Sequence, residues 1–305
     1  MGFCRQNIKA LFYENQFKPI KGKFLCLGRQ TVNLEISELE KIFNKKYFLN
    51  KETIDNKTKH AKLSKHKRIT DKYFLENTFG VKYSSIDANS YENANIIHDL
   101  NKDIPKKYYN KFDFIFSGGL LDNIFNPSTA LKNLTKLLKK NGRILIWEPS
   151  RGLVGSLLHF TPEYFYSYFA INRFLDAKVY LLVHDKNKKK MIDNFDYLVN
   201  VYSYSPFFIR KKKFDYLKSA KSHNGIHYVM AIAEKGTRTT ADKNPMNLHY
   251  IKFADKKKRI FWDKFKFNNI RPHIGGGLKV KKFKMIKTKL LPYNTEHYKF
   301  VVGKF

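Results

Sequence analysis

Two adjoining stretches, Ser84–Pro105 (SSIDANSYENANIIHDLNKDIP) and Phe112–Pro127 (FDFIFSGGLLDNIFNP), decide how the rest of the chain is read. With the three residues just before Ser84 they hold three short apolar runs, VKYSSID, NANIIHD and FDFIFSGG, and each stops at residues with chemistry: Asp87, Asp99 and Ser117-Gly118-Gly119. Short apolar runs bounded by turn residues read as strands, and their alternation with helical patterns reads as a parallel sheet.

Outward from this block the pattern continues. Upstream, KFLCLG (Lys23–Gly28) is a strand that stops at a glycine, and a charged segment of helical period follows from about Val32 to Tyr47. A short aromatic helix is expected over Thr70–Thr78. Downstream, a helix over about Ser128–Lys140 carries Leu131, Leu134, Leu137 and Leu138 on one face and ends at Asn141-Gly142. GRILIWEP follows as a fifth strand. Thr161-Pro162-Glu163 has the form of an N-cap, a proline and an acidic first turn, opening a helix to about Phe174. AKVYLLVH (Ala177–His184) and HYVMAIAEK (His227–Lys235) supply a sixth and a seventh strand. The expected architecture is α/β: a Rossmann-like, seven-stranded, mostly parallel sheet with helices on both faces. It occupies 1–235, with an exposed insertion over about 49–68. Residues 236–305 form a basic, aromatic-rich C-terminal extension.

The chain of 305 residues has 59 Lys and Arg against 26 Asp and Glu, a formal net charge of +33. Such a charge attracts nucleic acid and anionic surfaces. Only about ten of the basic residues are Arg, however, and the Lys are spread along the whole chain with abundant Asn, Ile, Phe and Tyr. All of these share AT-rich codons with Lys, so coding bias is the favoured explanation. Nucleic-acid binding through the tail, where Lys256–Arg259 is interleaved with Phe253, Phe261, Trp262 and Phe265, is possible but not favoured over a packed helix with a solvated basic face. Cys4 and Cys26 make no disulfide framework, and no Cys/His spacing suggests a metal. No run approaches the roughly 18 apolar residues of a membrane span, and no signal peptide is recognised, so a cytoplasmic location is expected. Nothing speaks to the oligomeric state.

In an open α/β sheet a ligand sits beyond the carboxyl ends of the strands, near the point where strand order reverses. Those ends carry residues suited to a nucleoside-bearing cofactor. Gly28 lets the backbone approach the ligand. Asp87 can accept from both ribose hydroxyls, and Asp99 from an adenine amino group. Gly118-Gly119 leaves room for the reactive end.

These motifs resemble the class I S-adenosylmethionine-dependent methyltransferases, and most closely a bacterial group with segments like SIDAsdYEgAtiihDLN.piP and FDfvfdgGtlEHvFN. The PEYFYSYFAINRF helix at Pro162–Phe174 resembles that group's SPElFy..Fs..NGF. The resemblance implies S-adenosyl-L-methionine as cofactor. Asp87 would then bind the ribose, Asp99 and Leu100 flank the adenine, and Ser117, Gly118 and Gly119 line the methionine side. It is dense over about a third of the chain. Two departures stand out. The glycine-rich loop after the first strand is here Gly28-Arg29-Gln30-Thr31-Val32, with one glycine, so that Gly28 and Gln30 are its candidate cofactor contacts. The group's Glu-His after the fourth strand is Asp122-Asn123.

Methyl transfer from a sulfonium is an in-line displacement that needs a base only if the acceptor must lose a proton. Asp122, Glu148 and His159 are the candidates. The leading reading is a methyltransferase acting on a small molecule or a glycan. A catalytically silent binding or scaffold protein of the same fold, and an RNA-directed methyltransferase, stay open beside it.

Overall fold

The computed structural model describes residues 2–63, 67–151, 155–184, 199–204, 227–246, 256–257, 267 and 298–304. It is built around one nine-stranded sheet in the order β3-β2-β1-β4-β5-β8-β6-β7-β9. The strands are β1 (Lys23–Leu27), β2 (Lys82–Asp87), β3 (Ile96–Ile97), β4 (Phe112–Gly118), β5 (Leu138–Arg151), β6 (Asp176–His184), β7 (Val199–Tyr204), β8 (His227–Glu234) and β9 (Tyr298–Lys304). The first five run parallel; β8 pairs antiparallel with both β5 and β6. The helices are α1 (Arg5–Phe17), α2 (Ile36–Phe43), α3 (Lys59–Leu63), α4 (Asp71–Phe79), α5 (Pro127–Leu137) and α6 (Pro162–Ile171).

Side chains alternate across the sheet, as a pleated strand requires. Leu25, Leu27, Ile115, Ile144 and Ile146 face α5 and α6. Phe24, Cys26, Phe114, Phe116 and Leu145 face α1, α2 and α4. A strand buried on both faces reads as an uninterrupted apolar run, which is why β4 is clear in sequence. The caps are as read: Thr161 accepts from Tyr164 N, and Pro162 takes the first turn of α6.

The differences have physical reasons. Two strands beyond the expected seven, β7 and β9, extend the sheet past β6 as antiparallel additions. The third strand shrinks from the expected Asn93–Asp99 to Ile96–Ile97, an edge pairing of two residues with β2. The helix after β4 stops at Leu137, because Leu138 already pairs with Phe112. Helix α1 was not anticipated. Its buried face includes Gln6, Asn7 and Glu14, which break the apolar stripe, and Glu14 is satisfied by Arg143 of β5 at 2.6 Å.

The stretch expected as an exposed insertion is anchored. Asp55 accepts from Thr58 N and Oγ1, Thr58 meets Thr31, and Thr53, Asp55, Thr58 and Arg68 are buried. From the C-terminal extension, Phe267 packs edge-on against Tyr166 at 5.3 Å, and Thr240 and Lys243 bond to Asn172 at the end of α6. The basic cluster at 256–259 lies outside the described residues apart from Lys256 and Lys257, as do its neighbouring aromatics and Gly275–Gly277. Among the described residues no helix is long and apolar enough to cross a membrane.

Candidate functional site

Strand order reverses at β1, whose neighbours are β2 on one side and β4 on the other, so the crevice between the ends of β1 and β4 is where such a sheet holds a ligand. Gly28 sits at its centre with φ +67°, a left-handed conformation that favours glycine. Its N–H donates to Ile86 O at 2.7 Å, which holds the turn against β2. A Cβ on Gly28 would lie 3.5 Å from Asp87 Oδ2, 3.5 Å from Leu120 Cδ1 and 3.8 Å from the Gln30 amide nitrogen. Residues from the ends of three strands thus converge on one backbone position.

Asp87 is half-buried; its Oδ1 accepts from Ala88 N at 2.6 Å, and Oδ2 faces Gly28. Asp99 follows β3 at the surface. Its Oδ1 accepts from both the backbone and the side-chain nitrogen of Asn101, each at 2.9 Å, and these two bonds, the backbone one first, hold the carboxyl below its ordinary range. Asn101 in turn accepts from Asn126 N at 2.8 Å, clamping the loop after β3 to the loop after β4. Leu100 is buried beneath, and the fully buried Asn133 of α5 bonds to Ile104 N and to the carbonyls of Leu100 and Lys102. At the rim, Phe125 is 87% exposed.

At the end of β4, Gly118 is enclosed. A Cβ there would lie 2.6 Å from a Phe116 ring carbon and 2.7 Å from Gln30 Oε1, so only glycine fits. Gly119 follows with φ +78°. Gln30 is buried in the gap between the β1 and β4 ends, its Nε2 donating to Leu27 O at 2.7 Å.

The three candidate bases share one neighbourhood with different exposure. Glu148 is fully buried: Oε1 accepts from Ser117 Oγ at 2.6 Å and Leu121 N at 3.3 Å, and Oε2 accepts from Asp122 N at 3.1 Å. Burial, and then the charge of Asp122, push its pKa up to about 8. It lies under the turn Leu121–Asn123 and holds that turn, so the geometry does not offer it to an acceptor. Asp122, also buried, accepts from Ser156 Oγ at 2.6 Å and Asn123 Nδ2 at 3.0 Å. Its carbonyl takes Leu157 N and Leu158 N, which brings the segment bearing the exposed His159 against the same turn.

A titration consequence follows for Glu148. Between the ordinary carboxylate range, about 4.3, and about 8, the folded protein keeps a proton that the unfolded chain has released. Stability therefore falls as pH rises through that window, by at most about 1.4 kcal/mol per unit. Glu148→Gln, which cannot titrate, removes this slope. Urea unfolding of both proteins from pH 5 to 8 shows it; parallel curves would contradict it.

Sequence reading missed a group behind the site. Arg29 donates to both carboxylate oxygens of the buried Asp71, at 2.7 to 3.1 Å. Asp71 also accepts from Gln30 N at 2.8 Å and from Tyr83 Oη. No local motif announces a pair separated by 42 positions.

Residues 84–203 match the family model described as a methyltransferase domain. The match covers less than half of the chain. It takes in Asp87, Asp99, Leu100, Ser117–Gly119, Asp122, Glu148 and His159, while Gly28, Gln30 and Asp71 precede it. No curated protein matches the sequence. Among solved structures, Haemonchus contortus phosphoethanolamine N-methyltransferase 2 in complex with S-adenosyl-L-methionine is similar at 12% identity, covering 76% of this chain and 53% of its own, with a TM-score of 0.38. A SAM-dependent methyltransferase from Archaeoglobus fulgidus is similar at 12% identity over 76% of this chain and 94% of its own, TM-score 0.39. Burkholderia thailandensis 1,6-didemethyltoxoflavin-N1-methyltransferase, with S-adenosylhomocysteine bound, gives 12%, 76%, 77% and 0.30 for the same measures. The chain spans about half the length of the Haemonchus protein.

Proposed function

We propose that this chain is an S-adenosylmethionine-dependent methyltransferase acting on a small-molecule or glycan-type acceptor. The observation that carries the reading is the convergence of Asp87, Leu120 and Gln30 within 4 Å of the Cβ position at Gly28, at the strand-order reversal of a sheet that contains a methyltransferase domain.

The residues present fit the cofactor. Asp87 Oδ2, 3.5 Å from the Cβ position of Gly28, would accept from ribose hydroxyls. Asp99, kept ionised by Asn101, is an acceptor for the adenine amino group, with Leu100 beneath it. The chain turns at the end of β4 through Gly119, whose φ of +78° favours glycine, and beside Gly118 the buried Gln30 Oε1 is an acceptor without a donor among the described residues. When bound, the cofactor supplies an electrophilic methyl group on its sulfonium. The chain's part is to hold that methyl in line with the acceptor. Glu148 positions the turn after β4 by binding Ser117, Leu121 and Asp122. If the acceptor must lose a proton, His159 and Asp122, on the two segments that meet at this turn, are the groups to take it.

The reading predicts that S-adenosylmethionine and S-adenosylhomocysteine each raise the protein's thermal unfolding temperature. At a hundred times the dissociation constant the gain is about 2.7 kcal/mol. A folded protein whose unfolding is unmoved by either ligand would remove the basis of the proposal.

A further inference from the structure

Gln30 stands where glycine-rich loops carry a second or third glycine, and it is held by one backbone and one side-chain hydrogen bond. Its backbone N–H donates to Asp71 Oδ2 at 2.8 Å, and its Nε2 donates to Leu27 O at 2.7 Å. A carbonyl oxygen can only accept, so this bond fixes which end of the amide faces Leu27. The other end, Oε1, is buried, has no hydrogen-bond partner among the described residues and lies against Gly118, 2.7 Å from the position a Cβ would take there. A buried acceptor without a donor is destabilising, and in native proteins such an atom calls for a partner.

We infer that Gln30 Oε1 accepts a hydrogen bond from the α-ammonium of the cofactor's amino-acid end, making Gln30 the residue that distinguishes amino-acid-bearing ligands from their truncated nucleosides. The inference rests on the proposed cofactor site. It follows by elimination among the cofactor's donors. In the proposed site the ribose hydroxyls would be taken by Asp87 after β2 and the adenine amino group by Asp99 after β3. Gln30 lies on the other side of Gly28, between the ends of β1 and β4, beside the glycine pair. The ammonium is the donor left for it. The cationic Arg29 next in sequence does not oppose an ammonium there, because its charge is matched by Asp71.

The test uses the full chain and two probes, S-adenosylhomocysteine and 5′-methylthioadenosine, which share ribose and adenine but differ in the amino-acid end. The wild type binds S-adenosylhomocysteine at least tenfold more tightly. Gln30→Met, similar in length but without the acceptor, loses roughly tenfold or more for S-adenosylhomocysteine, the scale of a hydrogen bond to a charged group. Its affinity for 5′-methylthioadenosine stays within about twofold. Gln30→Glu, which keeps an acceptor, binds S-adenosylhomocysteine more tightly than Gln30→Met. Equal wild-type affinity for the two probes would overturn the inference even if the variants fail to fold. So would a Gln30→Met protein that loses both probes equally, or neither, while Asp87→Ala loses both; those outcomes leave the cofactor site standing. A wild type that binds neither probe would sink the proposed function itself, and this inference with it.

Discussion

Asp71→Ala lowers the unfolding free energy by about 3–5 kcal/mol, the cost of stranding a buried charge. Asp71 is completely buried at the start of α4, and four groups from elsewhere in the chain and its own turn depend on it: the Arg29 guanidinium, Gln30 N, Tyr83 Oη and Lys72 N. Burial alone would lower the pKa of Arg29, but the bonds and charge of Asp71 more than reverse that and keep the guanidinium cationic. Burial and then the same carboxylate push the Tyr83 hydroxyl well above its ordinary value. Without Asp71, Arg29 keeps its charge with its side chain only 10% exposed, and the loop after β1 loses its anchor. Replacing both partners with leucine should recover much of the loss, because the desolvation penalty disappears with the charges. Urea unfolding of the single and double variants measures both effects. A single-variant loss under about 1 kcal/mol would show that the pair does not hold this loop.

Asp87→Ala acts on the ligand instead of the fold. Among the described residues its carboxylate makes one hydrogen bond, from the adjacent Ala88 N, and the residue is only half-buried, so the change in stability should stay within about 0.5 kcal/mol. The two ribose hydroxyls, in contrast, would each lose a charged acceptor. Hydrogen bonds to charged groups contribute roughly 1.5–3 kcal/mol each, so affinity for S-adenosylhomocysteine should fall about a hundredfold or more. Asp87→Asn retains one acceptor oxygen and should fall between wild type and alanine. A stability loss as large as that of Asp71→Ala would place Asp87 in the scaffold instead.

Much of this arrangement was legible because burial on two faces leaves a strong mark. Phe24 to Leu27 and Phe114 to Phe116 are apolar throughout, since alternate residues meet different helix layers. Where each run stopped, the first residue able to touch a ligand followed, so Gly28, Asp87, Asp99 and Gly118 could be read as strand ends. Elements held by polar contacts were not legible. Helix α1 buries Gln6, Asn7 and Glu14, and its partner Arg143 lies 129 residues away in β5. The same is true of the site's support. Gln30 was read as a candidate cofactor contact, but Asp71 is an ordinary polar residue in the sequence, and only the fold shows that Gln30 is aimed at Gly118 and that Asp71 fixes it. Glu148 was read as a strand-end acid like the others, yet its carboxyl points beneath the turn that begins at Leu121. A side chain's direction at a strand end depends on the turn that follows it, and Leu120–Asn123 carries no turn signature strong enough to be read from sequence.

The most direct measurement is isothermal titration of the wild type and Asp87→Ala with S-adenosylhomocysteine. The account predicts one site per chain in the wild type and a loss of about a hundredfold in Asp87→Ala. Equal affinity in the two proteins, or no binding by a folded wild type, would contradict it.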